Sequence, residues 1–319
     1  MPRLTEIRNL QDLAQDIAQL CPRLKSVQNE GVYEVSAQRL ILQLLGTLPH
    51  QRVESFYCTG RHFDVVSDLS DVGGLFRRHS TTMRSIVLSG CQIINSKMIQ
   101  AILVECQALE RLFVGCLSDS TRHQLCVGLE DAIETPWACT RIQELKLTIT
   151  IPDEPFHHLA EDAVPYYERP APIALSTAEK EQLRSLEALY CQIGALTELH
   201  FVRLYAHFYD PQDLRPVSRD YQATTFPAML NLGCEETGRP GFLHHLAGLT
   251  KLKQLFGSVS AETRETRSTI GKEEIVWMER HWPMLQGAGF LSRRAKNNIP
   301  EPFRWWKEQR AGKQFFIGA

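Results

Sequence analysis

The chain has 319 residues, of which 43% are hydrophobic and 23% charged, an ordinary composition for a globular protein. The formal net charge of −2 excludes a whole-molecule field that would draw the chain to nucleic acid or to an acidic membrane. Nine cysteines without one CxxC pair indicate reduced thiols rather than a disulfide framework or a spaced zinc site.

The N-terminal segment, MPRLTEIRNLQDLAQDIAQLC, does not have the pattern of a signal peptide. It carries Glu6, Asp12 and Asp16 where a signal peptide needs a continuous apolar stretch. No run of about 18 apolar residues, the length that a membrane-spanning helix requires, occurs in the sequence. We therefore expect a cytoplasmic or nuclear protein with no membrane partner.

One apolar phrase recurs along the chain. With Ile, Val, Met or Phe allowed for Leu, the pattern LxxLxL begins at Leu4, Leu24, Val53, Met83, Leu109, Ile142, Leu199, Leu252 and, in a weaker form, Leu285. Most intervals are close to 20–30 residues, near the period of leucine-rich repeats, and two are 57 and 53. Because strand side chains alternate, the apolar positions would line one face of a short strand, which the following helix would cover.

The unit that begins at Met83 shows this helix most clearly. In SKMIQAILVEC, an apolar stripe at helical spacing contains Met98, Ile102 and Leu103, and Asn95 or Ser96 is the predicted N-cap. A second clear helix pattern is STAEKEQLRSLEALYCQIGAL. Its predicted cap and stripe are Ser176 or Thr177, followed by Leu183, Leu186, Leu189 and Ile193.

Four cysteines recur at two places in the units. Cys91 follows a strand, and three others, Cys21, Cys106 and Cys139, each stand three residues before the first apolar position of the next strand. A small side chain with weak hydrogen-bonding capacity fits such turns. We interpret all four as packing residues, because a catalytic cysteine needs a neighbouring base and an electropositive setting.

Residues 83–109, with the pattern LxxLxLxxC…I…CxxL, resemble the cysteine-containing class of leucine-rich repeats. That class is best known from F-box proteins, the substrate receptors of Skp–cullin–F-box ubiquitin ligases. Over about residues 80–290, the chain is similar to the C-terminal repeats of fungal F-box-like leucine-rich-repeat proteins. The segments that carry this similarity are WACTRIQELKL, LYCQIGALTELHFVRL, HHLAGLTKLKQLFG and IGKEEIVWMERHWPML. The F-box itself is not found, and only LGTLPHQRVESF at 45–56 is faintly similar to it.

Repeat pattern and resemblance together predict an α/β leucine-rich-repeat solenoid, or horseshoe, of about eight units. Parallel strands would line its concave face and helices its convex face. Residues 1–290 would form this domain, with insertions near 151–176 and 206–240. The second insertion is followed by a predicted short helix, GFLHHLAGL.

The two insertions and the tail are rich in aromatic residues, which disordered segments normally lack. We expect ordered loops that leave from one rim and cover part of the concave face; insertions that are merely tolerated are the alternative. The tail, 291–319, interleaves basic residues with aromatics and would cap the apolar end of the solenoid. A flexible tail that carries a partner or localisation signal, or that binds single-stranded nucleic acid, is the alternative.

The sequence contains no signature of an enzyme: GxxxxGK[ST], GxSxG, HExxH and GxGxxG are all absent. Two adjacent histidine pairs, His157–His158 and His244–His245, raise the question of a metal. Neighbouring residues of a helix point about 100° apart, so His244 and His245 would not chelate one ion together. No third ligand is spaced near the other pair. We therefore predict no catalytic residue, no metal and no cofactor.

Strand positions that point away from the core would form the concave face. These positions carry Tyr, Phe and Arg, the residue types that dominate the energy of protein interfaces, together with a lysine. Packing of these side chains beneath the insertions is the alternative. The predicted partner-binding residues are Tyr57, Phe113, Lys146, Tyr166, Tyr167, Phe201, Arg203, Tyr205 and Phe256.

These observations indicate a non-catalytic protein–protein interaction module whose partner is a protein, either a substrate or an adaptor. The resemblance implies the substrate-recognition subunit of an SCF-type ubiquitin ligase, in the ubiquitin-like conjugation pathway. A Skp-type adaptor is expected only if an F-box lies upstream or has diverged. The alternative is a scaffold or regulatory binding protein with leucine-rich repeats and no ligase link. Nucleic acid is not an expected partner.

Overall fold

The computed structural model describes residues 10–21, 23–29, 35–59, 72–89, 94–115, 125–152, 175–209, 226, 228–235, 239–257, 270–289, 299, 301–310 and 316–317. Its class is α/β, as predicted, and the chain divides into two compact units. Unit 1 comprises Met1–Val127 and Thr135–Ile142, and unit 2 comprises Gly128–Glu134 and Gln143–Ala319. The predicted division into a 1–290 repeat domain and a 291–319 tail stays a prediction.

Unit 1 alternates helices with parallel strands. In chain order its described elements are α1 (Leu10–Leu20), β1 (Ser26–Asn29), α2 (Val35–Thr47), β2 (Ser55–Thr59), α3 (Val72–Arg77), β3 (Ser85–Ser89), α4 (Ser96–Glu105) and β4 (Arg111–Gly115). The strands pair in the order β1-β2-β3-β4, all parallel. Their starting residues lie side by side: Ser26, Ser55, Ser85 and Arg111. The short strand β5 (Val127–Gly128) follows in the chain.

Unit 2 repeats this arrangement, and two of its strands are longer than those of unit 1. Its described elements are α5 (Leu129–Ile133), β6 (Glu144–Pro152), α6 (Thr177–Gly194), β7 (Phe201–Tyr209), β8 (Leu232–Cys234), β9 (Arg239–Phe242), a 3-10 helix (Leu243–Leu246), β10 (Gln254–Gly257), α7 (Lys272–His281), β11 (Gly287–Ala288), α8 (Glu301–Gln309) and β12 (Phe316–Ile317). The parallel order is β6-β7-β10-β11-β12, and β8 and β9 form a separate antiparallel pair.

The apolar phrases correctly predict the strands β1-β2-β3-β4 of unit 1 and β6-β7-β10-β11 of unit 2. The remaining strand of these parallel arrays, β12, lies in the tail. Each predicted strand begins two residues after the start of a phrase, from Ser26 after Leu24 to Gly287 after Leu285. The phrase at Leu4 lies outside the described residues. In five of the described phrases the first, fourth and sixth positions are all buried, as predicted; in the phrase at Leu109 they are Leu109, Leu112 and Val114, each 0% exposed. Leu24 and Gly257, in two other phrases, are half-buried.

At six places in the described residues, one backbone carbonyl just before a strand accepts two N–H groups from the next repeat. The Lys25 carbonyl accepts from Glu54 at 2.7 Å and from Ser55 at 3.1 Å. The same arrangement recurs at the carbonyls of Glu54, Arg84, Gln143, His200 and Lys253. We call these six the shared carbonyls. They satisfy the first N–H groups of the following strand and fix its register against its neighbour.

The two clearest predicted helices are confirmed. Asn95 caps α4, where its Oδ1 accepts from the Met98 N–H at 3.0 Å. Ser176 caps α6 and exchanges hydrogen bonds with Glu179, the capping box that the sequence indicates. Both predicted apolar stripes are buried. No helix among the described residues is long and apolar enough to span a membrane.

The turn that precedes the strands differs in one respect from the prediction. Before six of the described strands, the N–H of the first apolar residue donates to the carbonyl three residues earlier, as in Leu109 to Cys106 at 3.1 Å. Cys106 and Cys139 are buried in this slot, but Cys21 is exposed, and Trp282 fills the same slot in unit 2. The slot therefore does not require a small side chain. Cys91 lies outside the described residues.

The segments on either side of the predicted insertions are more regular than the sequence indicates. Strands β6 and β7 pair over nine residues and end together, with Pro152 beside Tyr209, so both insertions leave from the same edge as predicted. The second insertion also contains the β8–β9 pair, which the sequence did not indicate. The predicted helix GFLHHLAGL was wrong in type, because only Leu243–Leu246 is helical and it is a 3-10 turn.

The described part of the tail belongs to unit 2 and packs against the elements that precede it. In α8, Phe303 and Trp306 are fully buried. The Trp306 indole and the Arg310 guanidinium both donate to the Glu279 carboxylate of α7, and β12 pairs in parallel with β11. Arg310 is itself buried and also donates to the Leu285 carbonyl, so its charge is compensated inside the fold.

Two neighbouring residues of β10 test the assignment of successive side chains to opposite faces of the sheet. Leu255 is 2% exposed and Gln254 lies exposed on the opposite face. We expect Leu255→Ala to lower the free energy of unfolding by about 2–5 kcal/mol, because it leaves a cavity in the core. Gln254→Ala should change it by less than about 0.5 kcal/mol. Urea unfolding measures both, and equal effects would contradict the assigned faces.

His79 makes the stability of unit 1 depend on pH. Its ring is fully buried; Nδ1 accepts from the Arg52 N–H at 3.3 Å, and Nε2 donates to the Leu45 carbonyl at 3.0 Å. Burial lowers the pKa of His79 below its usual value. The unfolded chain therefore takes up this proton at a higher pH than the folded chain does. Stability should fall as the pH drops through about 6.5 toward the folded pKa, and should level off below it.

Urea midpoints at about pH 7.5 and about pH 5.5 measure this effect. We expect His79→Gln to have a smaller difference between the two midpoints than the unsubstituted chain. His50→Gln, at an exposed histidine of the same unit, is the matched control; the charge of His50 is the smallest of the causes that shift the pKa of His79, so this variant should keep most of the difference. An unchanged difference in His79→Gln would show that other groups cause the pH dependence.

Candidate protein-binding site

Five predicted partner-binding residues of unit 2 lie together on one face of its sheet. They come from three adjacent strands: Lys146 on β6, then Phe201, Arg203 and Tyr205 on β7, and Phe256 on β10. Lys146, Arg203 and Phe256 are direct cross-strand neighbours. We call these five residues the cation–aromatic cluster. The apolar residues between them along β7, Val202 and Leu204, are fully buried on the other face.

Arg203 is held by two phenyl rings. Its guanidinium carbon lies 5.6 Å from the centroid of the Phe201 ring and 5.3 Å from that of Phe256. The two ring centroids are 6.1 Å apart. At these distances the negative faces of both rings attract the cation, and this attraction limits the positions that the long side chain can adopt.

The hydrogen-bond donors of Arg203 remain available within the described part of the protein. A guanidinium carries five N–H donors in a fixed plane. None of the acceptors in the described ranges takes a hydrogen bond from Arg203, whose described interactions are the two ring contacts. A half-exposed guanidinium in a fixed position is suited to a planar carboxylate, which it binds through two parallel hydrogen bonds.

Lys146 strengthens the positive charge at this place. It is the cross-strand neighbour of Arg203, and its ammonium nitrogen lies 5.8 Å from the centroid of the Tyr205 ring. Two cations therefore lie side by side on this face of the sheet, and an anion beside Arg203 would be attracted by both. Glu144 is the acidic residue on the same face of β6, next to Phe201 in register.

A glycine keeps one side of the cluster open. Gly287 on β11 follows the register of Gln254, and a Cβ atom there would lie 3.3 Å from Cζ of Phe256. A larger residue would push the Phe256 ring toward Arg203. On β10 itself, Gly257 has a φ of +105°, and a Cβ atom would meet the Leu204 carbonyl oxygen at 1.8 Å. A side chain at position 257 would therefore strain the backbone and clash with β7.

The predicted residues of unit 1 form a more apolar row. Tyr57 on β2, Val87 on β3 and Phe113 on β4 are successive cross-strand neighbours. Tyr57 and Phe113 are half-buried, and Val87 between them is 8% exposed. Arg111 lies near Phe113, with its guanidinium carbon 5.8 Å from the ring centroid. The remaining predicted residues, Tyr166 and Tyr167, lie outside the described residues.

The structure corrects the interpretation of one histidine pair. His244 and His245 have ring centroids 3.9 Å apart, whereas the sequence predicted that they would diverge. Their ring nitrogens and a carboxylate oxygen of Glu187 all lie within 4.8 Å of one another. The two residues lie in a single 3-10 turn that packs against α6. Neighbouring residues of a 3-10 helix point about 120° apart, so the helical spacing argument failed because side-chain conformation, and not helix geometry, brings the two rings together. The pair His157–His158 lies outside the described residues.

The reactivity of each cysteine thiol depends on how deeply the residue is buried. Burial raises the pKa of Cys106 and of Cys139 to about 12, so both are protonated at neutral pH. Cys21 and Cys191 are exposed.

We expect iodoacetamide at neutral pH to label Cys21 and Cys191 in the folded chain and to label Cys106 and Cys139 only after denaturation. Peptide mass spectrometry measures this; rapid labelling of Cys106 in the folded chain would contradict the packing role.

A scan of protein-family models and a search of curated proteins found no match to this chain. The functional argument therefore uses the residues and the geometry described above. The strongest geometric feature is the cation–aromatic cluster, because it combines a restrained arginine with a lysine and three aromatic rings on one sheet face.

Proposed function

We propose that this protein is a non-catalytic interaction module of the leucine-rich-repeat class, and that the cation–aromatic cluster binds an acidic segment of a partner protein. The observation that carries the proposal is the position of Arg203 between Phe201 and Phe256. Ordering an arginine costs conformational entropy, and here the fold itself pays that cost before any partner arrives.

The solenoid part of the proposal is supported by the repetition of one local geometry. The shared carbonyls recur three times in each unit, and the starting residues of the parallel strands lie side by side. Stacked repeats of this kind place successive strands in a row and helices behind them. The proposed concave wall is the strand face that carries the cation–aromatic cluster.

The chemistry of the cluster defines the expected partner segment. A carboxylate of Asp, of Glu or of a chain terminus fits the guanidinium and the neighbouring lysine. Aromatic rings on both sides of the arginine favour an apolar side chain next to that carboxylate. The proposed ligand is therefore a segment that places an acidic residue beside an aromatic or branched aliphatic residue.

The sequence resemblance suggests one cellular role for such a module. In F-box proteins with leucine-rich repeats, the repeats select the substrate of a ubiquitin ligase, and we propose the same task for the cation–aromatic cluster. The alternative is a scaffold or regulatory binding protein without a ligase. Both roles use the same site, and they differ in whether the chain also binds a Skp-type adaptor.

Substitutions in the cluster test the proposed site. We expect Phe201→Ala with Arg203→Ala to weaken partner capture by roughly 30-fold or more, since the loss of even one true anchor costs about 2 kcal/mol. Arg203→Lys should bind with intermediate affinity, because an ammonium keeps the charge but loses the paired hydrogen bonds. Quantitative mass spectrometry of proteins captured from a cell extract identifies those that depend on Arg203.

Gln254→Ala is the matched control, because Gln254 lies on the same sheet face beside Phe201 and outside the cluster. The control should retain the partners that the double variant loses, and melting temperatures should show that all variants fold. A set of partners that is identical for every variant would place the binding site elsewhere on the protein.

A direct binding measurement with a purified Skp-type adaptor separates the two roles. Binding at micromolar concentration would support the ligase subunit. An absence of binding at that concentration, together with Arg203-dependent capture of other proteins, would favour the scaffold. This measurement leaves the cluster intact, so its outcome is independent of the test of the site.

A further inference from the structure

Four side chains with metal-binding chemistry meet on the helical side of unit 2. Glu187 and Cys191 lie one turn apart on α6, and His244 and His245 lie in the 3-10 helix. His245 Nε2 is 2.9 Å from Glu187 Oε1, and His245 Nδ1 is 3.3 Å from Cys191 Sγ. These residues are separate from the cation–aromatic cluster, and the proposed function does not use them.

The backbone around these side chains is closely packed. A Cβ atom at Gly194 would lie 1.9 Å from the His245 carbonyl oxygen, so a glycine is required for α6 to approach the 3-10 helix. On the other side, Phe242 lies 5.8 Å from Tyr190 and 6.2 Å from the His245 ring, between ring centroids. Ligands on two closely packed helical segments are held in place before an ion binds.

We propose that Glu187, His244 and His245 form a binding site for a divalent transition metal of the Zn²⁺ class. Two imidazoles and one carboxylate are ligands that such ions accept, and three protein ligands leave the fourth position to water. In a tetrahedral site the ligand atoms are roughly 3.3 Å apart, given metal–ligand bonds of about 2.0 Å. The three ligand atoms here lie within 4.8 Å of one another, so small side-chain rotations bring them to that spacing.

Cys191 is a positioning residue in this site. When His245 binds the ion through Nε2, its Nδ1–H faces the Cys191 sulfur, which is 3.3 Å away. A metal-bound histidine usually donates its other N–H to such an acceptor, which fixes the orientation of the ring. His244 is exposed and Glu187 is half-exposed, so an ion in solution can reach the site.

The site joins the helical segments that precede β7 and β10. Those two strands carry Phe201, Arg203 and Phe256 on the opposite face of the sheet. A bound ion would therefore link two neighbouring repeats behind the cation–aromatic cluster. The expected consequence is that Zn²⁺ raises the melting temperature of the chain, because it binds the folded state in preference to the unfolded state.

Calorimetric titration of the purified, chelator-treated full chain with ZnCl₂ tests the site. We expect one Zn²⁺ per chain that is lost in His244→Ala with His245→Ala, and an affinity at least tenfold lower in Glu187→Gln. Glu187→Gln replaces an acid with an isosteric amide, and circular dichroism of the metal-free variants confirms that they are folded. The rise in melting temperature with ZnCl₂ should disappear in the same variants.

Two matched controls keep the test specific. His50→Ala removes an exposed histidine of unit 1, and His157→Ala with His158→Ala removes the other adjacent pair in the sequence. Both should retain the wild-type affinity and stoichiometry. The proposal is overturned if Zn²⁺ does not bind at micromolar concentration, or if the His244/His245 variant binds it as the wild type does. It is overturned equally if only the His157/His158 variant loses the ion.

Titration with Co²⁺ in place of Zn²⁺ tests whether Cys191 orients His245 or binds the ion itself. The proposed ligand set gives the visible bands of a nitrogen- and oxygen-bound cobalt ion and no thiolate-to-cobalt charge-transfer band. Cys191→Ser should keep these bands and lower the affinity for Co²⁺ by no more than about 100-fold. A thiolate band in the wild type that is lost in Cys191→Ser would contradict the assigned ligands.

Discussion

The structure depends on one repeated interaction, in which a single backbone carbonyl accepts two N–H groups from the following repeat. This contact fixes each strand against its neighbour at its first residue. A shift of one residue would turn every apolar side chain of that strand out of the core, because side chains alternate along a strand. Hydrogen bonding and burial of the apolar phrase therefore select the same register. Neither depends on the residues of the opposite face, which are free to differ from repeat to repeat.

The cation–aromatic cluster is a product of that register. Lys146, Arg203 and Phe256 are far apart in the sequence and become neighbours only because β6, β7 and β10 start level with one another. The buried apolar residues that alternate with them, such as Val202 and Leu204, stabilise the sheet from its other face. The cluster residues are not needed for the register, so they can vary without loss of the fold. Binding residues on a rigid scaffold usually have this freedom.

Sequence reasoning succeeded where a local rule determined the structure. The phrase located the strands because burial of alternate residues is a local pattern, and Ser176 with Glu179 located the start of α6 because capping is local. The reasoning failed where contacts between distant segments decide the outcome. Trp282 fills a turn that was predicted to need a small residue, and Glu187 meets His244 and His245 only because Gly194 allows close packing. Such contacts leave no periodic signal in the sequence.

A selection of peptides from a random library on the intact chain tests the central claim most directly. The claim is that an arginine held between two phenyl rings recognises an acidic residue beside an apolar one. The account expects the enriched peptides to share a carboxylate next to an aromatic or branched aliphatic side chain, and expects that enrichment to vanish on the Arg203→Ala chain. Enrichment of peptides without an acidic group, or of the same peptides on both chains, would contradict it.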